Sequence, residues 1–311
     1  MAVASAEDSG RYTFGVGISA RCPNNDVTPR LTIAMTPVRC ALAMTKHDYV
    51  HGYHSREETR LIDQANTLTE LLHSDTVYPE GSTVLEAGCG VGAQTVILAK
   101  NSPKARITSI DISDDSLAAA KKRVTDAGFT NVEFHHADIF KLPFPPASFD
   151  HVFVCFVLEH LPDPVAALLK LKDVLKPGGT MTVVEGDHGS AYFHPDSAAA
   201  RRAIQCLVEL QAKIGGDSLI GRRLYPLLVS AGFRDARVSP RVVYADSSRP
   251  QMVEGFTKNT FTAMVEGVEK EALAARMIDR ETWTKGIRDL YRTAEADGTF
   301  CYTFFKGTAA R

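Results

Sequence analysis

The sequence predicts an α/β fold: a mostly parallel sheet with helices on both of its faces. Three observations carry this expectation. Strand-like and helix-like runs alternate from Glu57 onward, and the stretches joining successive strands are long enough for right-handed crossovers. A turn with three glycines, Gly88, Gly90 and Gly92, closes the first strand-like run and opens a helix. In sheets of this kind a ligand binds beyond the carboxyl ends of the strands.

The elements follow in order. "REETRLIDQANTLTELLH" places apolar residues at helical spacing and ends before the turn signal Pro79-Glu80-Gly81. "TVLEAG" reads as the first strand, "GAQTVILAKN" as a helix and "RITSIDI" as the second strand. "SDDSLAAAKKRVTDAG" is a helix with Ser113 as its cap and Asp114 and Asp115 in its first turn. "VEFHHADI" and "FDHVFVCFV" are the third and fourth strands. "DPVAALLKLKDVLKPGG" is a helix stopped by Pro177-Gly178-Gly179, and "TMTVVEGD" is the fifth strand. "AYFHPDSAAARRAIQCLVELQAKIGG" and "LIGRRLYPLLVSAGF" read as helices. "RDARVSPRVVYA" and "GTFCYTFFKGT" are strands six and seven. Between them, residues 246–297 hold helical runs, among them "PQMVEGFTKNTFTAMVEGVEK" and "DRETWTKGIRDLYRTAEADG". An insertion of that length is too long for a loop and should pack on the core.

Composition narrows the function. The chain has 311 residues, 44% hydrophobic and 23% charged, as in an ordinary globular protein. A net charge of −2 leaves no basic surplus for a nucleic-acid partner. No apolar run approaches the roughly 20 residues of a membrane span. Cys22, Cys40, Cys89, Cys155, Cys206 and Cys301 form no CxxC pair, which favours free thiols in a reducing, cytoplasmic setting.

Residues 1–43 carry little periodicity. Four arginines without lysine suggest a transit peptide and organellar import, whereas Glu7, Asp8 and Asp26 oppose it. The preferred reading is a disordered tail or a start at Met44, with one domain over residues 44–311.

The glycine turn is the chemical centre of the sequence. Gly88-Cys89-Gly90-Val91-Gly92-Ala93 formally matches a dinucleotide fingerprint, with Asp111 at the end of the next strand. A pyrophosphate would be repelled by Glu86, however. A ligand with an ammonium and a sulfonium and no phosphate would be attracted. S-adenosylmethionine is such a ligand, with Glu86 facing its positive charge and Asp111 taking its ribose hydroxyls.

With "HADIFKLPF", "FDHVFVCFVLEHL" and "LKPGG" following in order, residues 53–187 resemble the class I S-adenosylmethionine-dependent methyltransferases. The likeness is to the branch that includes ubiquinone/menaquinone C-methyltransferases and small-molecule methyltransferases. The resemblance implies a Rossmann-like, seven-stranded, mostly parallel sheet. Its last two strands would form an antiparallel edge, the seventh inserted beside the fifth. It also implies that Gly88 and Gly90 pass under the methionine moiety, with Gln94 nearby, and that Asp111 and Ile112 hold the ribose. Asp138 and Ile139 would frame the adenine, and Cys155, Phe156 and His160 would lie along the methionine portion. Tyr53 would close over the cofactor and is a second candidate for catalysis.

Methyl transfer is an in-line displacement that needs alignment, exclusion of water and, for many acceptors, a base. Candidates cluster in "EGDHGSAYFHPD", after the fifth strand, and in "HDYVHGYHSREE", with His47, Tyr49, His51, Tyr53 and His54. His188 is the preferred base, because histidine titrates near neutrality. Asp187, at the end of the cofactor-binding core, and Tyr192, His194 and Arg222, within the substrate-side residues 188–232, are candidate substrate contacts, and Arg223 is a weaker one. The spacing of Asp187, His188 and His194 is too loose to assign a metal. The insertion is expected to be a lid over the substrate mouth, with Phe256, Phe261 and Met264 lining an apolar pocket, or else a homodimer surface. The leading function is methylation of an O, N or C nucleophile on a small metabolite. Protein methylation and nicotinamide-dependent oxidoreduction are the alternatives.

Overall fold

The computed structural model describes residues 55–311. The expectations placed on residues 1–43, and on His47, Tyr49, His51, Tyr53 and His54, lie outside the described residues. The element order is α1 (Ser55–His73), β1 (Thr83–Ala87), α2 (Ala93–Asn101), β2 (Arg106–Asp111), α3 (Asp114–Asp126), β3 (Val132–His136), β4 (Phe149–Cys155), α4 (Pro164–Val174) and β5 (Leu175–His194). It continues with α5 (Ala198–Lys213), α6 (Leu224–Ser230), β6 (Arg234–Ala245), α7 (Pro250–Met252), a π-helix (Val253–Thr262), α8 (Ala263–Glu266), α9 (Glu269–Ala274), α10 (Arg280–Arg292) and β7 (Thr299–Ala310).

The seven strands form one sheet in the order β3-β2-β1-β4-β5-β7-β6. β1 to β5 pair in parallel, and β7 runs antiparallel to both β5 and β6. This is the Rossmann-like order that the resemblance implied, with the seventh strand inserted antiparallel beside the fifth. Adjacent residues of the central strands bury on opposite faces: Val84 and Leu85, or Val183 and Val184, belong to different apolar clusters. Burial on both faces is why these strands read as continuous apolar runs rather than as alternation.

Two expectations change. β5 does not stop at Asp187 but continues to His194, so "AYFH" belongs to the strand and not to the next helix. β7 decides this. It pairs Asp187 with Thr303 and then, after a register shift, Tyr192 with Cys301, Phe193 with Phe300 and His194 with Thr299. α5 starts only at Ala198, where the Ser197 hydroxyl accepts from the Ala200 N–H at 3.2 Å. At the other end, α4 passes straight into β5 at Leu175. Pro177-Gly178-Gly179 therefore lies within the strand's irregular start rather than stopping the helix.

The insertion packs on the core. Phe256, Phe261, Met264, Trp283 and Leu290 join the same apolar cluster as Phe153 and Phe304. Within the π-helix, the Thr260 hydroxyl donates to the Gly255 carbonyl at 2.7 Å, five residues back.

Candidate functional site

The glycine turn is held from below. The Gly88 and Cys89 N–H groups both donate to the Ile110 carbonyl, at 2.8 and 2.9 Å. Gly92 caps α2 with φ +78, a left-handed value that favours glycine, and a Cβ there would stand 2.8 Å from the Ala120 Cα. A Cβ at Gly90 would meet nothing within 4 Å, so the middle of the loop borders open space. Asp111 braces it: its Oδ2 accepts from the Gly90 N–H at 2.8 Å and its Oδ1 from the Ser113 N–H at 2.9 Å. The cap of α3 is Ser113 itself, accepting from the Ser116 N–H at 3.2 Å.

Glu86 is where the structure corrects the sequence reading. It does not stand at the mouth of the loop but is 2% exposed. Its Oε2 accepts from the Thr95 and Ser109 hydroxyls at 2.7 and 2.6 Å, tying β1 to α2 and β2. Burial pushes its carboxyl up to about 7, against the pull of those two hydroxyls.

The other expected cofactor residues line up along the strand ends. Asp138 accepts from the Phe140 N–H at 2.9 Å and caps the short turn Ile139–Lys141, with Ile139 buried beside it and Ile112 exposed. Cys155 is buried, which drives its thiol well above the ordinary range. Phe156 adopts φ +59, and its N–H donates to the Val184 carbonyl at 2.9 Å. A Cβ on Gly88 would stand 2.5 Å from the Val157 Cγ2, so the glycine loop and the turn after β4 lie against each other. Gln94 sits half-buried on α2, with its Oε1 unpartnered.

Beside this loop is a pocket walled by α1, the end of β4, β5, β7 and the insertion. Phe156, Phe256, Phe261, Met264, Tyr302 and Phe304 supply its apolar surface. Arg60, Gln64, Glu159, His160, His188 and Thr260 supply polar groups. His188 is 5% exposed, and burial lowers its imidazole below the usual histidine range. Its Nδ1 lies 2.7 Å from the Tyr302 hydroxyl, and its backbone N–H donates to the Ser218 carbonyl. Glu159 is held by the Gln211 amide, which donates to its carbonyl at 3.1 Å and to its Oε2 at 3.2 Å. The His160 Nε2 is 3.6 Å from the Glu159 Oε1. Next to them Glu185 is fully buried. Its Oε1 accepts from the Val157 and Leu158 N–H groups, and its Oε2 has no partner. Burial, then the charge of Glu159, raises its carboxyl well above the carboxylate range.

Several expected substrate contacts lie elsewhere. Asp187 is 2% exposed and turned to Arg222, whose Nε and Nη2 donate to its two oxygens at 2.6 and 2.7 Å. That pair occupies both the carboxylate and the guanidinium that were expected to meet substrate. Tyr192, 66% exposed, and His194 fall at the far end of β5, away from the pocket lining. Arg223 pairs with Asp217. Among the described residues no three His, Cys, Asp or Glu side chains gather as metal ligands, and no helix is long and apolar enough to cross a membrane. Sequence reasoning passed over Tyr302, Glu159 and Glu185. A signal for Tyr302 was present: Phe300, Tyr302 and Phe304 alternate along β7 and therefore share a face.

Residues 79–232 match the model of a family described as a methyltransferase domain. The chain is 32% identical over 202 residues to an uncharacterised 37.1 kDa protein in transposon TN4556 of Streptomyces fradiae, covering 64% of this chain and 57% of that protein. It is 35% identical over 107 residues to the demethylmenaquinone methyltransferase of Listeria monocytogenes, covering 34% and 45%. The chain spans about half the length of the curated relatives it matches. Among solved structures, Haemonchus contortus phosphoethanolamine N-methyltransferase 2, in complex with phosphomonomethylethanolamine and S-adenosylhomocysteine, superposes with a TM-score of 0.50 at 18% identity. It covers 80% of this chain and 52% of that one, a likeness of fold. S-adenosylmethionine is the methyl donor that the family implies, and the open space over Gly90 beside the Asp111 carboxylate fits it. The glycine loop, the strand order and these relatives agree: the chain carries a domain of the class I S-adenosylmethionine-dependent methyltransferases.

Proposed function

We propose that this chain moves the methyl group of S-adenosylmethionine to an oxygen, nitrogen or carbon nucleophile of a small metabolite held in the aromatic pocket. One observation carries the reading: the donor loop and the pocket share the turn after β4. Val157 packs over Gly88 in the loop, while Phe156, its neighbour, lines the pocket. A group bound over Gly88 and Gly90 and a group bound among the aromatic rings are thereby brought together along Phe156.

When bound, the donor supplies a methyl carbon already activated by the sulfonium. The chain's own residues align, enclose and deprotonate. Asp111 holds the ribose hydroxyls with lone pairs left over from its two backbone partners. Asp138 and Ile139 frame the adenine, and Gln94, Cys155 and His160 border the methionine portion. The π-helix roofs the pocket through Phe256, Thr260 and Phe261 and excludes water from the transfer. His188, whose imidazole burial shifts toward the uncharged form, takes the acceptor's proton.

The test is methyl transfer from isotope-labelled donor to a metabolite extract by the full chain, with the labelled product identified by mass. A labelled small molecule is expected. Its formation should drop by about 10²–10⁴ in His188→Gln, with S-adenosylhomocysteine affinity unchanged. Label found only in protein, or tight NAD binding without S-adenosylhomocysteine binding, would sink the proposal.

A further inference from the structure

We infer that Tyr302 is the positioning residue for His188: its hydroxyl accepts the imidazole Nδ1–H and so leaves the Nε2 lone pair to receive the acceptor's proton. The inference rests on reading this pocket as the acceptor site and His188 as its base. The two side chains come from β5 and β7, 114 residues apart, and meet at 2.7 Å. Tyr302 lies on β7, outside residues 79–232, the stretch that matches the family model.

Three features make the contact a built one. The Tyr302 ring is fixed by its neighbours: the centroids of Phe256, Phe261 and Phe304 stand 5.5, 5.4 and 4.8 Å from it. The hydroxyl reaches His188 only because residue 186 is glycine, since a Cβ there would stand 2.4 Å from the Tyr302 oxygen. Both side chains are buried, Tyr302 at 1% and His188 at 5%, yet both border the pocket. An uncharged imidazole carries its one ring proton on Nδ1 or on Nε2, and the tyrosine hydroxyl accepts from Nδ1 in the first case and donates to it in the second, so the direction of this bond sets the state of Nε2. A base needs Nε2 unprotonated, and the arrangement that meets this need is the one in which the tyrosine oxygen accepts from Nδ1–H. On deprotonation of the acceptor, Nε2 gains the proton, and Nδ1–H still has the tyrosine oxygen as its partner.

Nitrogen NMR of full-length protein carrying isotope-labelled histidine reads the tautomer directly, with His188 assigned by its loss in His188→Gln. The wild type should show a protonated-type Nδ1 and an unprotonated-type Nε2, well separated. Tyr302→Phe keeps the ring and its packing, and should draw the two signals together as the tautomers mix. Gly186→Ala should do the same with the tyrosine still present, and lower Tm by about 2–8 °C. Adding Tyr302→Phe to Gly186→Ala should return Tm to that of Tyr302→Phe alone, because the next atom facing the new Cβ is the ring carbon at 3.5 Å. An unprotonated Nδ1 in the wild type, or His188 signals unmoved by Tyr302→Phe, would overturn the inference. So would an equal Tm loss from Gly186→Ala in both backgrounds. None of these results bears on donor binding or on the labelled product, which decide the methyltransferase reading separately.

Discussion

The two halves of this site hold their polar groups in opposite ways. On the donor side the partners are close in sequence: Glu86 meets Thr95 and Ser109, and Asp111 meets Gly90 and Ser113, all within about two dozen residues of each other. In the aromatic pocket, proposed above as the acceptor side, His188 meets Tyr302 and Glu159 meets Gln211, 114 and 52 residues apart. The buried carboxylates show the contrast most plainly. Glu86 has both its hydroxyl partners on the two elements that follow β1. Glu185 takes backbone N–H groups from the turn after β4 and shares its surroundings with Glu159. A short loop closed by local hydrogen bonds leaves a motif in the sequence. A pocket closed by distant strands leaves scattered residues with nothing local to mark them.

Four experiments sharpen or break this contrast. The largest effect is expected at the donor loop. Gly92→Ala forces a left-handed φ on a side chain and presses its Cβ on the Ala120 backbone, so stability should fall by about 2–5 kcal/mol in a urea melt. A loss below about 1 kcal/mol would mean that the loop and α3 yield easily.

Next is a pair of opposed pH effects. Burial pushes Glu86 up to about 7 and His73 down to about 4, from ordinary values of 4.5 and 6.5. The folded protein binds the Glu86 proton more readily than the unfolded chain, so this group adds stability as pH falls from 7 to 4.5. Folded His73 resists its proton, so stability is lost as pH falls from 6.5 to 4. Each effect is worth on the order of 3 kcal/mol at full extent. Glu86→Gln should therefore lose stability more steeply than wild type on acidification, and His73→Leu less steeply. Denaturant midpoints that run parallel to wild type between pH 4 and 7.5 would contradict both assignments.

Asp111→Ala should weaken S-adenosylhomocysteine binding about ten- to a hundredfold by calorimetry. It should also cost about 1–3 kcal/mol of stability, since the Gly90 and Ser113 N–H groups lose their acceptor. An unchanged affinity would reduce Asp111 to a brace for the loop. The smallest effect is expected at the far end of β5, where Tyr192→Ala should change stability by no more than about 0.5 kcal/mol and leave donor affinity intact. A larger change would extend the site along that strand.

Much of the donor half was legible in the sequence. The apolar runs of β1, β2 and β4, the cap at Ser113 and the three glycines each follow from local rules of burial, capping and backbone freedom, and the structure holds them where those rules put them. The end of β5 was not legible. "HGSAYFH" is broken by a glycine and by polar residues, and becomes strand only because β7 supplies hydrogen bonds beyond Asp187. The π-helix was read as a helix but not as a π-helix, since its apolar spacing resembles that of an ordinary helix. Its winding accompanies close approach to α1, where a Cβ on Gly255 would stand 2.1 Å from the Thr67 hydroxyl.

By itself, then, the sequence determined the alternation of strands and helices, the glycine loop and the family to which its domain belongs. Each depends on residues near one another along the chain, and local sterics and hydrogen bonding act there before any tertiary contact forms. Tertiary structure alone decided that Glu86 turns inward, that Asp187 and Arg222 satisfy each other, and that Tyr302 reaches His188 across Gly186. Tyr302 and His188 become neighbours only when β7 lies beside β5, Glu86 meets its hydroxyls only when α2 and β2 pack against β1, and burial then sets which groups must pair.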